Sequence, residues 1–450
     1  FAGEPAPFSF SGMVKHTFMR RSDYMNDLQV LLTNKDERKK SSHEIIEELR
    51  PVIVDFAKKK NAVSKILEIP PGPPVMATLV AEVYGPDKNV RQAVAREIYD
   101  VFSKESSVVD LDYSWRPMRP RQVYEFNQYL AGLYGVSSTQ AVLTGGLVFS
   151  ETPVVSLADV GWPEEINVNL SVMQSVRSSN NPFAGEMVPT FESGFAYINQ
   201  VINKPVQKET VALYRKNLKP VEYVMSELSG KDEAPVYGIL KLAPKINYPI
   251  QTAEVPWNTT KPVVKWDGEW FITYEVFRDL GISFAVVLVL IYILVVGWFR
   301  SYIVPVVIMA PIPISLIGIL PGHAIVGSYF TATSMIGFIA GAGIIVRNSI
   351  ILVDFIEQEI KRGVALRDAV INAGVIRFRP MLLTAAAVVV GSFVMLFDPI
   401  FQGLAVSLMF GEIAATLLSR FAVPALYYWI AGRKRVKQIL SEVQATATAS

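Results

Sequence analysis

Two apolar stretches of the chain carry side chains that lipid does not tolerate without a reason. In 341-GAGIIVRNSIILVDFIEQEIKRG-363, Arg347 and Asn348 sit in an otherwise apolar run, and Asp354 follows seven residues on. In 410-FGEIAATLLSRF-421, Glu412 does the same. From Arg347 to Glu357 is ten residues, about 15 Å of helix, or half of a hydrocarbon core of about 30 Å. Arg347 is therefore expected near the bilayer midplane, where a charge costs at least ~2.5–3.5 kcal/mol. It must face a protein interior or a wet path, and it needs a partner. The chemistry on offer is charge pairing: arginine can hold a carboxylate but keeps its own proton. Asp354 shares the Arg347 face two turns away, too far for direct contact along the helix. Asn348 and Ser349 add polar groups beside the charge. Glu412 reads as a counter-charge for Arg347, as a further proton site, or as a protonated residue that only packs helices. Arg347 could likewise be structural glue.

The rest of the composition removes other chemistries. The 450 residues contain no cysteine, so disulfides, iron–sulfur clusters and thiol catalysis are excluded. His16, His43 and His323 are scattered, without the spacing of a conventional zinc site. There is no P-loop sequence. A net charge of +2 gives no sign of nucleic acid, and no cofactor is implied. The chain starts at Phe1 and shows no signal peptide, and it reads as the later part of something longer.

The elements that must position these residues are membrane spans. The chain is 51% hydrophobic and 19% charged, and its character changes near residue 280. Residues 280–299 form a first span. No charge then occurs between Arg300 and Arg347. The PGH at 321–323 is expected to break that stretch into spans 302–320 and 329–357. A fourth runs over 380–397 and a fifth over 402–430. Arg300, the cluster Lys361, Arg362, Arg367, Arg377 and Arg379, and the tail with Arg433, Lys434, Arg435 and Lys437 alternate with loops lacking Lys and Arg. The positive-inside rule puts the basic loops and the C-terminus in the cytoplasm. Residues 1–275 then lie on the other side, the periplasm of a bacterium with two membranes. Residues 357–376 read as an amphipathic helix on the inner surface. Arg420 reads as snorkelling towards that surface. Gly337, Gly341, Gly343, Ala385 to Ala387 and Gly391 suggest close helix packing.

Outside the membrane, residues 25–114 read as β-α-β twice. The first unit has strands 27–33 and 63–69 around a helix at 42–60, with a Ser41/Glu44 capping box and an apolar stripe of Ile45, Leu49, Val52, Ile53 and Phe56. The second has strands 77–84 and 107–113 around a helix at 88–103, N-capped by Asp87. Residues 221–228 look like a returning strand of the second unit. That makes 116–214 an insertion, with a helix at 121–133 and a strand at 166–172. Gly72, Pro73 and Pro74 mark a possible hinge between the two units.

Four stretches together, 217-NLKPVEYVMSELSG-230, 265-KWDGEWFITYEVFRDLG-281, 341-GAGIIVRNSIILVDF-355 and 377-RFRPMLLTAAAVVVG-391, resemble the C-terminal half of resistance-nodulation-division (RND) efflux pumps. The resemblance covers nearly the whole chain. It implies an α+β periplasmic region of ferredoxin-like β-α-β porter subdomains with an inserted docking subdomain, plus an all-α bundle of five transmembrane helices. In those terms 1–71 is a first porter subdomain lacking its start. Residues 72–115 and 215–275 form the second porter subdomain and its connection to the membrane. Residues 116–214 are the docking subdomain, 280–430 the transmembrane domain and 431–450 a cytoplasmic tail.

The family pairs a basic residue, commonly lysine, with an acidic couplet on a helix of the first half, which this sequence does not contain. Arg347 and Asn348 match that basic motif, with arginine as the departure. Thr384 matches the neighbouring hydroxyl residue and Arg377 a basic residue at the cytoplasmic entrance. The set Arg347, Asn348, Thr384, Asp354, Glu412 and Arg377 is thus expected to couple transport to protons, with Arg347 an electrostatic switch rather than a proton relay. The implied protein is a secondary transporter, not an enzyme. It would be a proton-driven exporter of small hydrophobic or amphiphilic compounds in the bacterial inner membrane. The implied partners are the N-terminal half, two further copies in a homotrimer, a periplasmic adaptor, an outer-membrane channel and the lipid bilayer. The alternative reading is a membrane-anchored periplasmic assembly subunit that does not itself transport.

Overall fold

The computed structural model describes residues 24–34, 37–68, 75–116, 118–149, 153–158, 161, 165–170, 172–177, 179, 181–230, 233–431, 436–437 and 441. The expected hinge at 72–74 and nearly all of the tail at 431–450 lie outside these residues. The chain forms two compact units, one of Trp115–Leu213 and one of the remainder.

In the larger unit, helix α1 (Ser42–Lys59) starts at the capping box: Glu44 N donates to Ser41 Oγ at 3.1 Å, and Ser41 N donates to Glu44 Oε2 at 2.8 Å. The strands expected on either side of it do not form. Residues 27–34 and 62–68 are irregular. A strand holds only when a neighbouring strand takes up its backbone hydrogen bonds, and none does so among the described residues; Ile66 N donates to the Asp110 carboxylate at 3.3 Å instead. The apolar stripe of α1 is consequently uncovered, with Val52 and Phe56 each 64% exposed.

The second β-α-β unit is complete. Strand β1 (Leu79–Tyr84), helix α2 (Lys88–Ser103) and strand β2 (Val108–Tyr113) follow in order. Asp87 caps α2 by accepting from Val90 N at 3.0 Å. Strand β3 (Glu222–Leu228) inserts between β1 and β2, antiparallel to both. Helix α3 (Pro235–Leu242) precedes β4 (Ile250–Gln251) and β5 (Val263–Asp267), giving the sheet order β4-β5-β1-β3-β2. This is a split β-α-β sheet. Every residue of β1 is buried. In β2, Asp110 and Asp112 are not turned to solvent. They bind Arg50 of α1 and Lys65, so the polar face of the strand is covered.

The unit of Trp115–Leu213 has its own small core, including Ala131, Val136, Phe183, Val188 and Ile198. The helix expected at 121–133 begins only at Gln128, because Asn127 caps it and the preceding residues form the short strands Pro120–Gln122 and Glu125–Phe126. The strand at 166–172 is shorter, Ile166–Asn169, and pairs with Pro153–Leu157.

Among the described residues, five helical spans are long and apolar enough to cross a membrane. The first, Glu269–Phe299, follows β5 after one glycine. The second runs through Val304–Met309, Pro311–Ile314 and Leu316–Val326, so PGH does not end it. The turn comes at Gly327 instead. Buried contacts hold the helix past Pro321: one ring nitrogen of buried His323 bonds Ile319 O, one turn back in the same helix, at 2.9 Å, and the other bonds Ser334 Oγ of the third span at 2.8 Å. The third span, Ala332–Lys361, extends to the segment expected on the membrane surface, and the separate helix there is only Leu366–Ile376. The fourth is Phe378–Phe393 with a short 3-10 turn after it, and the fifth is Gln402–Ile430. The third and fifth pack along most of their length, whereas the first and fourth are largely uncovered. Of the expected small-residue contacts, Gly337 makes one. A Cβ there would lie 2.7 Å from Ser407 Cβ and 2.9 Å from Leu404 O. Gly341, Gly343 and Gly391 have nothing within 4 Å of such an atom, so they are not points of close approach among the described residues.

Candidate functional site

Helical periodicity divides the third span into two faces. Ile345, Val346, Asn348, Ser349, Leu352, Val353, Ile356 and Ile360 are buried, on the side that carries the contacts with the fifth span. Arg347, Ile351, Asp354 and Gln358 recur at helical spacing on the other side, which this chain covers little or not at all. Arg347 makes no hydrogen bond or ion pair among the described residues. Its charge reaches Glu412 only through space. Asp354 accepts from Gln358 Nε2 at 2.7 Å, one turn further along, and does not meet Arg347.

Glu412 lies on the fifth span and is 2% exposed. Thr416 Oγ1 donates to its Oε1 at 3.3 Å, while Oε2 has no hydrogen-bond partner among the described residues. Ser349 Oγ and Ser407 Oγ are also buried without one. The interface between these two spans thus holds several polar atoms whose demand the chain does not fully meet.

The other expected residues lie on the fourth span. Thr384 donates to Pro380 O of its own helix at 2.9 Å. Arg377 begins the fourth span and places its guanidinium 4.9 Å from the Phe355 ring centre of the third. Arg420 of the fifth span stacks 4.0 Å over Phe378. These two cation–π contacts tie the start of the fourth span to its neighbours. The structure therefore brings Arg377 to the end of the third span, but it brings neither Thr384 nor Asp354 to Arg347.

Sequence reasoning passed over Glu357. It is 4% exposed and accepts from Tyr427 Oη at 3.2 Å, joining the third span to the fifth. Its helical spacing from Val353 and Ile360 was the available signal. His323 was passed over as a loop residue because of the proline beside it.

Comparison with known proteins gives a consistent picture. The profile of the AcrB/AcrD/AcrF family matches residues 6–431. The chain is 22% identical over 363 residues to the swarming motility protein SwrC of Bacillus subtilis (strain 168), covering 79% of this chain and 33% of SwrC. It is 30% identical over 146 residues to the multidrug resistance protein MdtC of Photorhabdus laumondii, 31% of this chain and 14% of that protein. Among solved structures, two crystal forms of a heavy metal efflux pump match its fold. The first has a TM-score of 0.61 at 22% identity, over 79% of this chain and 36% of the pump chain. The second has a TM-score of 0.62 at 20% identity, over 88% and 40%. The chain spans about a third of the length of SwrC.

Proposed function

The chain belongs to the AcrB/AcrD/AcrF family of RND efflux pumps, and from that premise we propose that it acts as the C-terminal half of a proton-driven exporter in the bacterial inner membrane. The observation that carries this reading is Arg347. A permanent charge at mid-membrane, on a helix face its own chain leaves open, needs a carboxylate from elsewhere. A titrating carboxylate on the N-terminal half would supply it. Gaining a proton, that carboxylate would let go of Arg347; losing it, it would bind again. Arg347 stays charged throughout. Asn348, Glu412, Asp354, Thr384 and Arg377 are the polar groups proposed to shape that step.

The basic residues Lys361, Arg362, Arg367, Arg377 and Arg379 between the third and fourth spans support a cytoplasmic placement of that connection. Residues 1–275 are then periplasmic. In this reading the Trp115–Leu213 unit is the docking subdomain, facing an adaptor and an outer-membrane channel, and the pump is a trimer. The proposed substrates are small hydrophobic or amphiphilic compounds.

The test is Arg347→Met in the assembled pump, reconstituted in vesicles with an imposed proton gradient. The variant should insert and assemble normally and lose gradient-driven efflux to background, while Arg347→Lys keeps part of it. Efflux at the unsubstituted rate by Arg347→Met would remove Arg347 from the coupling step.

A further inference from the structure

Far from Arg347 in sequence, the sheet holds a second set of buried charges. Glu82 of β1 is fully buried, with Tyr223 of β3 opposite it on one side and Lys265 of β5 on the other. Tyr84 Oη donates to Glu82 Oε2 at 2.8 Å. Lys265 Nζ lies 3.3 Å from Glu82 Oε2, 3.6 Å from Asp267 Oδ2 and 4.5 Å from the Phe271 ring centre. Lys216 comes from the hairpin of Arg215–Lys216 and Lys219–Pro220. Its Nζ donates to Glu82 Oε1 at 2.5 Å and also to Asp267. The Glu82 and Asp267 carboxyls share both lysines, so the ionisation of one works against that of the other. Tyr214 packs edge-on against Tyr223 at 6.1 Å. The groups facing Glu82 are therefore Tyr84, Tyr223, Lys265, Asp267 and Lys216, with Tyr214 behind Tyr223.

We propose that the Glu82–Asp267 pair is a proton-binding site outside the membrane, and that its proton sets how firmly Lys216 pins the 215–220 hairpin to the sheet. With Glu82 ionised, two carboxylates face two ammonium groups and Lys216 bridges both acids. With Glu82 protonated, one carboxylate is left for two lysines. The site lies at two joints of the chain. The hairpin follows directly on the return from the Trp115–Leu213 unit, and Asp267 is two residues before the first membrane span.

The titration window fits this geometry. Burial, then Asp267, pushes the Glu82 carboxyl up from its ordinary 4.5 to about 7. Burial opposes ionisation of Asp267 too, but the hydrogen bonds from Glu82 and Lys216 and the two lysine charges outweigh it, and its pKa is lowered. Lys216 acts to lower the Glu82 pKa. By linkage, ionised Glu82 must then hold Lys216 more tightly, so the hairpin is docked most firmly above about pH 7 and loosens as the pH falls through it. The burial of Glu82 works on the whole fold in the opposite sense: its raised pKa favours the folded sheet below 4.5, and that contribution is lost as the pH rises through about 7. The informative measurement is therefore local.

The full chain, in lipid nanodiscs, is followed by infrared difference titration of protonated carboxyl bands and by hydrogen exchange at the 215–220 amides, corrected for the intrinsic pH dependence of exchange. A carboxyl titrating near pH 7 should vanish in Glu82→Gln and persist in both Glu412→Gln and Arg347→Met. The last variant separates this site from the coupling step proposed above. Hairpin protection should fall on acidification in the unsubstituted chain and stay flat in Glu82→Gln. Lys216→Met should move the midpoint upward, which a merely structural lysine would not do, and this arm stands even if Glu82→Gln fails to fold. A titration unchanged in Glu82→Gln, an unmoved midpoint in Lys216→Met, or equal hairpin protection on both sides of the window would overturn the proposal.

Discussion

The sheet and the membrane spans handle buried charge in opposite ways. In the sheet, Glu82, Asp267, Lys265 and Lys216 meet one another within hydrogen-bonding or ion-pairing distance. Opposite signs are matched two against two inside one chain. In the spans, Glu412 keeps one oxygen without a partner, and Arg347 stands on an uncovered helix face with no ion pair among the described residues. A charge left alone costs more in lipid than at a wet surface. The sheet thus matches its buried charges within one chain, while the face of the third span that carries Arg347 leaves its charge unmatched among the described residues.

The contrast can be broken most severely where the third and fifth spans approach most closely. Gly337→Leu would drive a side chain into Ser407 and the Leu404 carbonyl, and the backbone atom cannot rotate away. Overpacking typically costs about 1–3 kcal/mol, and a clash with backbone lies at or beyond the top of that range. The expected outcome is loss of the folded membrane region, read as aggregation in size-exclusion chromatography in detergent. Gly343→Leu, on the open side, should behave like the unsubstituted chain. If both variants stay monodisperse, the close approach of these two spans is wrong.

Next in size is Lys265→Met. The lysine is 2% exposed and sits between two carboxylates. Removing one member of a buried ion pair costs about 3–5 kcal/mol, because the remaining charge stays buried without it. Here Glu82 can relieve part of that cost by keeping its proton, so the loss should shrink at low pH. Chemical denaturation on both sides of about pH 7 measures it. A cost that does not change with pH would mean that the sheet cluster does not titrate as a set.

The same contrast explains which features could be read from the sequence. Helix 42–59 was legible because its cap is local: Ser41 and Glu44 satisfy each other without help from the rest of the fold. The spans were legible because lipid imposes a length and a composition on each. Strands 27–33 and 63–69 were not, since alternating apolar residues do not say whether a partner strand is at hand. The end of the second span was misplaced because Pro321 carries a strong local signal, and the contact of His323 with Ser334 that works against it is tertiary. Arg347 and Glu412 were conspicuous because charge is rare in apolar runs. Glu82 and Lys265 were not, although the stretch 265-KWDGEW-270 belongs to a quoted motif. A charge inside a strand is ordinary until its neighbours across the sheet are known.

The smallest effect on folding is expected at Thr384, where the two readings of a polar group in a span separate most cleanly. Its hydroxyl donates to Pro380 O, a carbonyl of the preceding turn in its own helix. Such back-bonding contributes little to helix stability and often works slightly against it. Thr384→Val keeps the branched shape and removes only the hydroxyl, so the change in stability should stay within about 0.5 kcal/mol. If the hydroxyl serves the proton step, Thr384→Val should slow gradient-driven efflux at unchanged assembly, and Thr384→Ser should restore it. The pH profile adds a readout that packing cannot imitate: a coupling hydroxyl shifts the profile, whereas a packing methyl leaves it in place. Equal efflux and an equal pH profile for all three side chains would leave Thr384 as a helix residue that only bonds its own backbone, and would confine the proposed coupling step to the third and fifth spans and the carboxylate proposed to meet Arg347.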